Sequence, residues 1–199
     1  MKQYAHIAFE GPIAAGKTTL ASMMSEHVSG LLFLEDFQNN DFLPDFYRDH
    51  DRWALPMQLW FLRARFDQLK SIPSDPSSSI FVDYSYLKNG MFSRVLLKGR
   101  ELQLYQQISR QFTANIRPPD VVVYLDATNA VLLDRIRRRG RPYEQNIDET
   151  YLDTLRNAYD QEFVTRADLN MVSFDTSQLD LQSEKMMTEF YEHVLSATR

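Results

Sequence analysis

The residues Gly11-Pro12-Ile13-Ala14-Ala15-Gly16-Lys17-Thr18 satisfy the pattern G-x-x-x-x-G-K-[ST] at every fixed position. A short apolar run over residues 5–9 precedes them, and a segment with helical apolar spacing follows over residues 15–28. Between a strand and a helix, the two glycines let successive backbone N–H groups turn toward phosphate oxygens, and the helix adds the positive end of its dipole. The stretch therefore predicts a loop that binds the phosphates of a nucleotide.

The last two residues of this P-loop motif have expected roles in nucleotide binding. We expect the Lys17 ammonium to contact the β- and γ-phosphates of ATP and the Thr18 hydroxyl to bind Mg²⁺. The expected ATP-binding residues are the motif and its successor: Gly11, Pro12, Ile13, Ala14, Ala15, Gly16, Lys17, Thr18 and Thr19. The motif alone leaves kinase, ATPase and switch GTPase open. However, the N-K-x-D sequence with which GTPases recognise guanine does not occur in the chain.

Four further short apolar runs alternate with longer helical segments. They lie at residues 31–34, 80–82, 121–125 and 171–174. This alternation predicts an α/β fold, namely a three-layer P-loop NTPase fold with a five-stranded parallel sheet flanked by helices. The helical segments expected between the strands are 41–69 with a break near Asp49, 87–116, 128–139, 149–164 and 181–195.

Acidic residues follow the predicted strands, where ligands bind in folds of this kind. They are Glu10, Glu35, Asp83, Asp126 and Asp175. Because the carboxyl ends of parallel strands meet at one edge of a sheet, we expect these carboxylates to face a common site.

An arginine-rich stretch carries five guanidinium groups within seven residues, at positions 135, 137, 138, 139 and 141. Gly140 and Pro142 make its end a turn. Phosphoryl transfer needs positive charge over the oxygens of the moving group, so we predict a lid over the P-loop at about residues 137–147. A solvated helix face whose basic C-terminus suits the helix dipole is the simpler alternative.

Length and composition bound the class of protein. The 199 residues suit one domain, 1–199, and the apolar fraction of 44% and charged fraction of 25% are ordinary for a soluble globular protein. No apolar run is long enough to span a membrane. The lack of cysteine predicts a cytoplasmic protein, and the net charge of −5 argues against nucleic acid as a partner.

Five stretches together resemble the deoxynucleoside kinase family, and most closely bacterial deoxyguanosine kinases. They are residues 11–19, 34–35, 47–65, 82–85 and 133–144. The resemblance implies an enzyme of nucleotide salvage that uses ATP and Mg²⁺ to phosphorylate a small-molecule deoxynucleoside. It also implies a dimer built through helices between the third and fourth strands. We expect a homodimer, and a mixed dimer with a related chain stays open.

The resemblance implies roles around the sugar and the base. Glu35 would take the proton from the 5′-hydroxyl, and Asp83 would help to hold Mg²⁺. Tyr47 and Glu144 would hold the 3′-hydroxyl. Gln58 would bind the polar edge of the base.

The same resemblance gives the base two apolar walls, Trp53 and Phe92, although aromatic side chains of a plain core would look the same. Arg65 and Asn89 would sense the identity of the base. Gln58 and Arg65 are seven residues apart, so they point to one side of a helix.

Tyr84 departs from the family pattern, which usually has arginine at this position. Its hydroxyl cannot replace a cation beside the catalytic carboxylate, so we expect the ionisation of Glu35 to depend more on the lid. By the resemblance, Arg135, Arg139 and Arg141 are the lid arginines that meet the phosphates. A nucleoside-monophosphate kinase, which binds an anionic acceptor, would need the missing arginine, so its absence favours a neutral acceptor.

Asn89 stands where the wider family often has aspartate. A neutral amide cannot neutralise Arg65, so we expect Arg65 to donate two hydrogen bonds outward. Guanine offers two adjacent acceptors, O6 and N7, which match such a pair. The sequence therefore predicts deoxyguanosine as the preferred deoxynucleoside.

Two alternatives remain beside the deoxynucleoside kinase. One is a nucleoside-monophosphate kinase of the thymidylate type, and the other is a non-catalytic nucleotide-binding subunit. A chain that had lost turnover should have lost part of its catalytic set. Lys17, Thr18, Glu35, Asp83 and the lid arginines are all present.

Overall fold

The computed structural model describes residues 4–73, 77–114, 116–165, 168–177 and 184–197. Within these residues, five parallel strands form one sheet in the order β2-β3-β1-β4-β5. The strands are β1 (His6–Glu10), β2 (Leu31–Phe33), β3 (Ile80–Val82), β4 (Val121–Asp126) and β5 (Met171–Asp175). The predicted five-stranded parallel sheet is therefore confirmed.

Eight α-helices flank the sheet in the described part of the chain. They are α1 (Lys17–His27), α2 (Leu43–Arg48), α3 (His50–Lys70), α4 (Leu87–Leu96), α5 (Gly99–Thr113), α6 (Asn129–Arg139), α7 (Glu149–Tyr159) and α8 (Glu184–Ser196). Residues 181–183, where the last helix was expected to begin, lie outside the described residues. None of the helices described is long and apolar enough to cross a membrane.

Two of the predicted helical segments contain breaks. The break expected near Asp49 is confirmed, and the Asp49 side chain caps α3 by accepting a hydrogen bond from the Arg52 N–H. The segment predicted as one helix over 87–116 is two helices. Leu97 adopts an extended backbone (φ −107°, ψ 150°) and buries its side chain, which ends α4 before α5 begins at Gly99.

The side chains of β4 alternate between the two faces of the sheet, as a strand requires. Val121, Val123 and Leu125 pack on one face in a core shared with α1, α6, α7 and α8. Val122 and Tyr124 pack on the other face with residues of α4 and α7. Both faces are therefore covered, which gives the three layers that the sequence predicts.

A further apolar cluster joins α2, α3 and α5, and it includes Leu43, Phe46, Met57, Phe61 and Tyr105. All of these except Tyr105 also line a cavity in the described part of the chain. This helical layer therefore forms the apolar wall of a site whose polar floor is the carboxyl edge of the sheet.

Candidate active site

The loop between β1 and α1 has a backbone that only certain residues adopt readily. Gly11 has φ 141°, and a Cβ atom at this position would lie 2.0 Å from the Leu125 carbonyl oxygen. Gly16 caps α1 with φ 102°, where open space surrounds the glycine, so its conformation alone requires glycine. The loop can thus turn its N–H groups inward at the start of a helix, as the sequence predicts.

The Lys17 side chain folds back against the backbone of this loop. Its Nζ donates hydrogen bonds to the carbonyl oxygens of Gly11 at 2.7 Å and Pro12 at 2.8 Å. Burial, reinforced by the positive charge of Lys88, lowers the pKa of Lys17 to about 8. The ammonium therefore lies within the loop, and an anion bound beside it would raise its pKa again.

Thr18 and Asp83 bring two oxygen ligands together. The Thr18 hydroxyl donates to Asp83 Oδ2 at 2.6 Å, and Asp83 Oδ1 accepts from the Glu35 N–H at 2.6 Å. Burial and the nearby charge of Glu35 raise the pKa of Asp83. A hydroxyl and a carboxylate short of positive charge fit Mg²⁺, which is commonly held by one or two carboxylates together with substrate phosphates.

No group of three or more His, Asp or Glu side chains in the described residues could hold a metal ion by itself. The pair formed by Thr18 and Asp83 therefore fits a magnesium ion that arrives with a nucleotide, since the phosphates would complete its oxygen ligands.

Glu35, which follows β2, is held by two cations. Arg65 Nε donates to Glu35 Oε1 at 2.7 Å, and Arg65 Nη2 lies 2.6 Å from the same oxygen. Lys88 Nζ lies 3.3 Å from both carboxylate oxygens. Burial alone would favour the protonated acid, but the charges of Arg65 and Lys88 outweigh it and lower the pKa of Glu35 to about 2.

This arrangement corrects the expectation that the ionisation of Glu35 depends on the lid. The cations beside the carboxylate come from α3 and α4, and Lys88 supplies the charge that Tyr84 cannot. The Tyr84 hydroxyl instead donates to Gln68 Oε1 at 2.6 Å. Its ring lies 5.9 Å below the Arg65 guanidinium, so it packs against the ion pair.

The expectation that Asn89 leaves Arg65 free is also wrong. Asn89 Oδ1 accepts a hydrogen bond from Arg65 Nη1, because an amide oxygen accepts as a carboxylate oxygen does. Glu35 and Asn89 together engage all three guanidinium nitrogens, which leaves one N–H on each terminal nitrogen. Asn89 is 1% exposed and lies behind Arg65, away from the cavity lining.

The cavity walled by α2 and α3, here called the acceptor cavity, gathers most of the predicted substrate-binding residues. These are Glu35, Tyr47, Gln58, Arg65, Asp83, Phe92 and Glu144. Gln58 is 2% exposed, and its Oε1 has no hydrogen-bond partner within the described chain. A buried, unpaired acceptor facing a cavity is suited to a polar ligand.

Trp53, predicted as a wall for the base, is not part of the acceptor cavity lining in the described chain. It stacks on Phe42 with ring centroids 5.9 Å apart, as part of the apolar cluster. On a helix, Trp53 and Gln58 differ by five residues, or roughly 140° around the axis, so both cannot face the base. Phe37, Phe46 and Phe61 line the cavity beside Phe92.

The predicted lid begins where α6 ends. Gly140 has φ 70° and caps α6, and a 3₁₀ turn follows over Pro142–Glu144. Arg139 Nη2 and Arg141 Nη1 lie 2.5 and 3.2 Å from the two carboxylate oxygens of Glu144. The Arg141 guanidinium also lies 3.9 Å from the centroid of the Phe37 ring, so the lid rests on the loop after β2.

Arg135 is held differently from the other predicted lid arginines. Its Nη2 donates to the Thr176 carbonyl oxygen at 2.7 Å, and its Nη1 donates to the Thr176 hydroxyl at 3.0 Å and to the Ala14 carbonyl oxygen at 3.3 Å. These contacts tie α6 to the P-loop. Arg135 lines a second cavity rather than the acceptor cavity.

This second cavity, here called the donor cavity, adjoins the first. It is lined by P-loop residues 14–19, together with Leu20, Phe37, Arg135, Arg139, Arg141 and Thr176. Six residues line both cavities: Ala14, Lys17, Thr18, Phe37, Arg139 and Arg141. Glu35 lines only the acceptor cavity. Ligands bound in the two cavities would therefore meet at the P-loop and the lid arginines. The Glu35 carboxylate would be on the side of the ligand in the acceptor cavity.

Several residues of the site escaped the sequence analysis. Lys88, Phe37, Tyr151 and Tyr159 line the acceptor cavity. Glu10, by contrast, was among the carboxylates expected to face the site, but it lies behind the cavity lining, fully buried, and accepts hydrogen bonds from the Ser85 N–H at 2.6 Å and the Tyr159 hydroxyl at 3.3 Å. The one signal in the sequence that could have pointed to Lys88 and Phe37 is that each lies a few residues after a predicted strand.

Comparisons with known proteins find relatives among the deoxynucleoside kinases. A family model described as deoxynucleoside kinase matches residues 7–196. The deoxyguanosine kinase of Bacillus subtilis (strain 168) is 34% identical over 157 residues, which are 77% of this chain and 76% of that protein. The deoxyadenosine kinase of Dictyostelium discoideum is 30% identical over 159 residues, 77% of this chain and 64% of that protein.

The fold is also similar to that of a solved deoxynucleoside kinase structure. The structure of deoxyadenosine kinase from M. mycoides with bound dCTP is similar with a TM-score of 0.82 at 25% sequence identity. The match covers 96% of this chain and 99% of that one.

Proposed function

This chain belongs to the deoxynucleoside kinase family, whose members are ATP-dependent phosphotransferases, and on that premise we propose that it transfers the γ-phosphate of ATP to the 5′-hydroxyl of a purine deoxynucleoside. The observation that carries the proposal is the position of Glu35. Its carboxylate lines the acceptor cavity beside the residues that this cavity shares with the donor cavity.

The charges around Glu35 support a neutral acceptor. An anionic acceptor such as a nucleoside monophosphate needs cations that are free to meet its phosphate. Arg65 and Lys88 line the acceptor cavity alone and are both engaged by the Glu35 carboxylate. The other cations of its lining, Lys17, Arg139 and Arg141, also line the donor cavity and are assigned here to the phosphates of ATP. Displacing that carboxylate would leave a buried charge uncompensated, which is costly. A hydroxyl, by contrast, can donate to the carboxylate without disturbing the pairs.

The contacts of each side chain support a separate role for it in the proposed reaction. Lys17 would release the two loop carbonyls that it now contacts and bind the γ-phosphate. Glu35 would accept the hydrogen bond of the 5′-hydroxyl and take its proton as the oxygen attacks phosphorus. Arg139 and Arg141 would turn from Glu144 toward the oxygens of the moving group. Glu144, once released, would be available with Tyr47 for the 3′-hydroxyl.

We also propose that Mg²⁺ takes part, held by Thr18 and Asp83. When bound, the ion would neutralise charge on the phosphates. The two side-chain oxygens are 2.6 Å apart, joined by a hydrogen bond, so both could coordinate the same ion. Asp83 keeps this position because its other oxygen accepts from the backbone after β2.

The base preference rests on Gln58 and Arg65. Gln58 can donate with Nε2 and accept with Oε1, while Arg65 keeps one N–H on each terminal nitrogen and can only donate. Guanine places two acceptors side by side, whereas adenine puts a donor next to N7. We therefore propose a purine deoxynucleoside, with deoxyguanosine preferred. Relatives named as deoxyguanosine and deoxyadenosine kinases support a purine.

The proposal extends to the assembly: a single domain over residues 1–199 that forms a homodimer through α4 and α5. The exposed side chain of Leu104 lies on α5, one of these two helices. Light scattering should give twice the chain mass of 23.4 kDa. A monomer at the concentrations used for assay would contradict this part of the proposal.

The reaction itself is tested by identifying the product. With ATP, Mg²⁺ and deoxyguanosine, the phosphorus signal of the product should couple to the two 5′ protons, and 2′,5′-dideoxyguanosine should give no product. Phosphorylation of the 5′-deoxy analogue, or turnover of deoxyguanosine monophosphate but not of deoxyguanosine, would contradict the proposed acceptor.

A further inference from the structure

Lys88 occupies an unusual place for a cation. It is the second residue of α4 and is 4% exposed. The N-terminus of a helix carries partial positive charge, so a buried ammonium there is unfavourable unless an anion compensates it. The compensating anion is Glu35, which lies 53 residues earlier in the chain, with both oxygens 3.3 Å from Lys88 Nζ. Lys88 also contacts the face of Phe92 at 5.6 Å.

The two oxygens of Glu35 are not equivalent. Oε1 receives the Nε of Arg65 at 2.7 Å and its Nη2 at 2.6 Å, as well as Lys88. Oε2 accepts a hydrogen bond from Lys88 at 3.3 Å. A carboxylate oxygen accepts about two hydrogen bonds. Oε1 is therefore saturated, while Oε2 keeps a lone pair for another donor.

We propose that Glu35 Oε2 is the atom that takes the proton of the acceptor hydroxyl, and that Lys88 is the positioning residue that turns this oxygen toward it. The inference rests on the proposed function. In the transfer step, the 5′-oxygen forms a bond to the γ-phosphorus and the bond from that phosphorus to the bridging oxygen breaks. ADP leaves with the electron pair, and the hydroxyl proton moves to Oε2 and then to solvent.

Lys88 acts through Glu35 in this scheme. Arg65 from α3 contacts Oε1, and Lys88 from α4 contacts both oxygens, so the two cations together restrain rotation of the carboxylate. Because Glu35 lines the acceptor cavity, Oε2 would then be held ready for a donor bound there. Several other ionisable groups interact electrostatically with this carboxylate: Glu10, Lys17, Asp83, Tyr84 and Tyr159. None of them reaches Oε2 in the contacts of the described residues.

The test compares Lys88→Met with Lys88→Arg and with Lys98→Met, an exposed lysine just beyond α4. Lys88→Met should lower kcat by roughly tenfold to a hundredfold, a share of the general-base contribution, and change the KM values by less than about threefold. Lys88→Arg, which keeps the positive charge, should restore most of kcat, and Lys98→Met should match the wild type.

A double variant separates a positioning role from a direct one. In a Glu35→Gln background, Lys88→Met should cause less than about a threefold further loss, since its target is already gone. An equal loss in both backgrounds, or a Lys88→Met variant whose loss appears in the KM values and not in kcat, would overturn the proposal. If Lys88→Met lacks a native circular dichroism spectrum, Lys88→Gln serves in both comparisons. Near-normal kcat in Glu35→Gln alone would instead contradict the proposed function.

Discussion

Arg65 Nε and Glu35 Oε1 form a buried ion pair 2.7 Å apart that joins α3 to the loop after β2. The pair connects the helix that lines the acceptor cavity to the carboxylate at the floor of the site. Because both groups are largely shielded from water, the pair fixes the carboxylate and also makes its loss expensive.

Arg65→Met should therefore lower the free energy of unfolding by about 3–5 kcal/mol at neutral pH, since it leaves a buried carboxylate with one cation. Arg63→Met is the matched control, because Arg63 forms an exposed pair with Asp67 at 3.4 Å on the same helix. The control should change stability by less than about 1 kcal/mol. Urea unfolding measures both, and equal losses would contradict the buried pair.

The same pair predicts a pH dependence. The pKa of Glu35 is lowered from its usual 4.5 to about 2 in the folded protein, so the pair contributes its full stability above the unfolded value. That contribution is lost as the pH falls from about 4.5 toward 2. The stability difference between wild type and Arg65→Met should shrink over this window, and a difference that grows on acidification would be inconsistent with it.

Lys17 offers a test of the phosphate site that does not depend on turnover. Because the pKa of Lys17 is about 8, this side chain is neutral in a fraction of the protein molecules in weakly alkaline buffer. ATP should raise that pKa again, so binding near pH 8.5 should take up protons, and affinity should fall as the pH rises above about 8. Calorimetry in two buffers of different ionisation enthalpy measures the uptake.

The control for this measurement is Lys17→Met, which should bind ATP without the uptake and lose most of its turnover. Lys98→Met should retain both. Proton release by the wild type, or an uptake that survives in Lys17→Met, would remove Lys17 from the phosphate site.

Helix α6 offers a control for the lid arginines. Arg139→Ala and Arg141→Ala should each lower kcat about 10²–10³-fold with little change in nucleoside KM, because they meet charge that develops during transfer. Arg138→Ala should behave as wild type, since Arg138 is 79% exposed and pairs with Asp134 at 2.9 Å. A change confined to nucleoside KM would make the lid a substrate-binding element.

Much of the fold was predictable because its signals are local. The P-loop, the five apolar runs and the acidic residues that follow the strands can be read within a few positions of one another. The spacing between Gln58 and Arg65 likewise put both side chains on one face of α3, where the structure has them buried.

The errors have a common physical cause, which is contact between distant segments. Lys88 meets Glu35 across 53 residues, and no pattern near either residue indicates the pair. Asn89 was expected to leave Arg65 free because it lacks charge, but hydrogen bonding to its amide oxygen requires none. Trp53 was assigned to the base by resemblance, against the angle that separates it from Gln58 on the helix.

One measurement tests the central claim, a neutral purine deoxynucleoside as the acceptor: kcat/KM for deoxyguanosine, deoxyadenosine, deoxycytidine, thymidine and deoxyguanosine monophosphate under one condition with ATP and Mg²⁺. We expect deoxyguanosine first, and a mismatched base edge should reduce the others by roughly tenfold to a hundredfold. The monophosphate should give no measurable turnover. A pyrimidine ahead of both purines would contradict the assigned base, and faster turnover of the monophosphate than of any nucleoside would contradict the central claim itself.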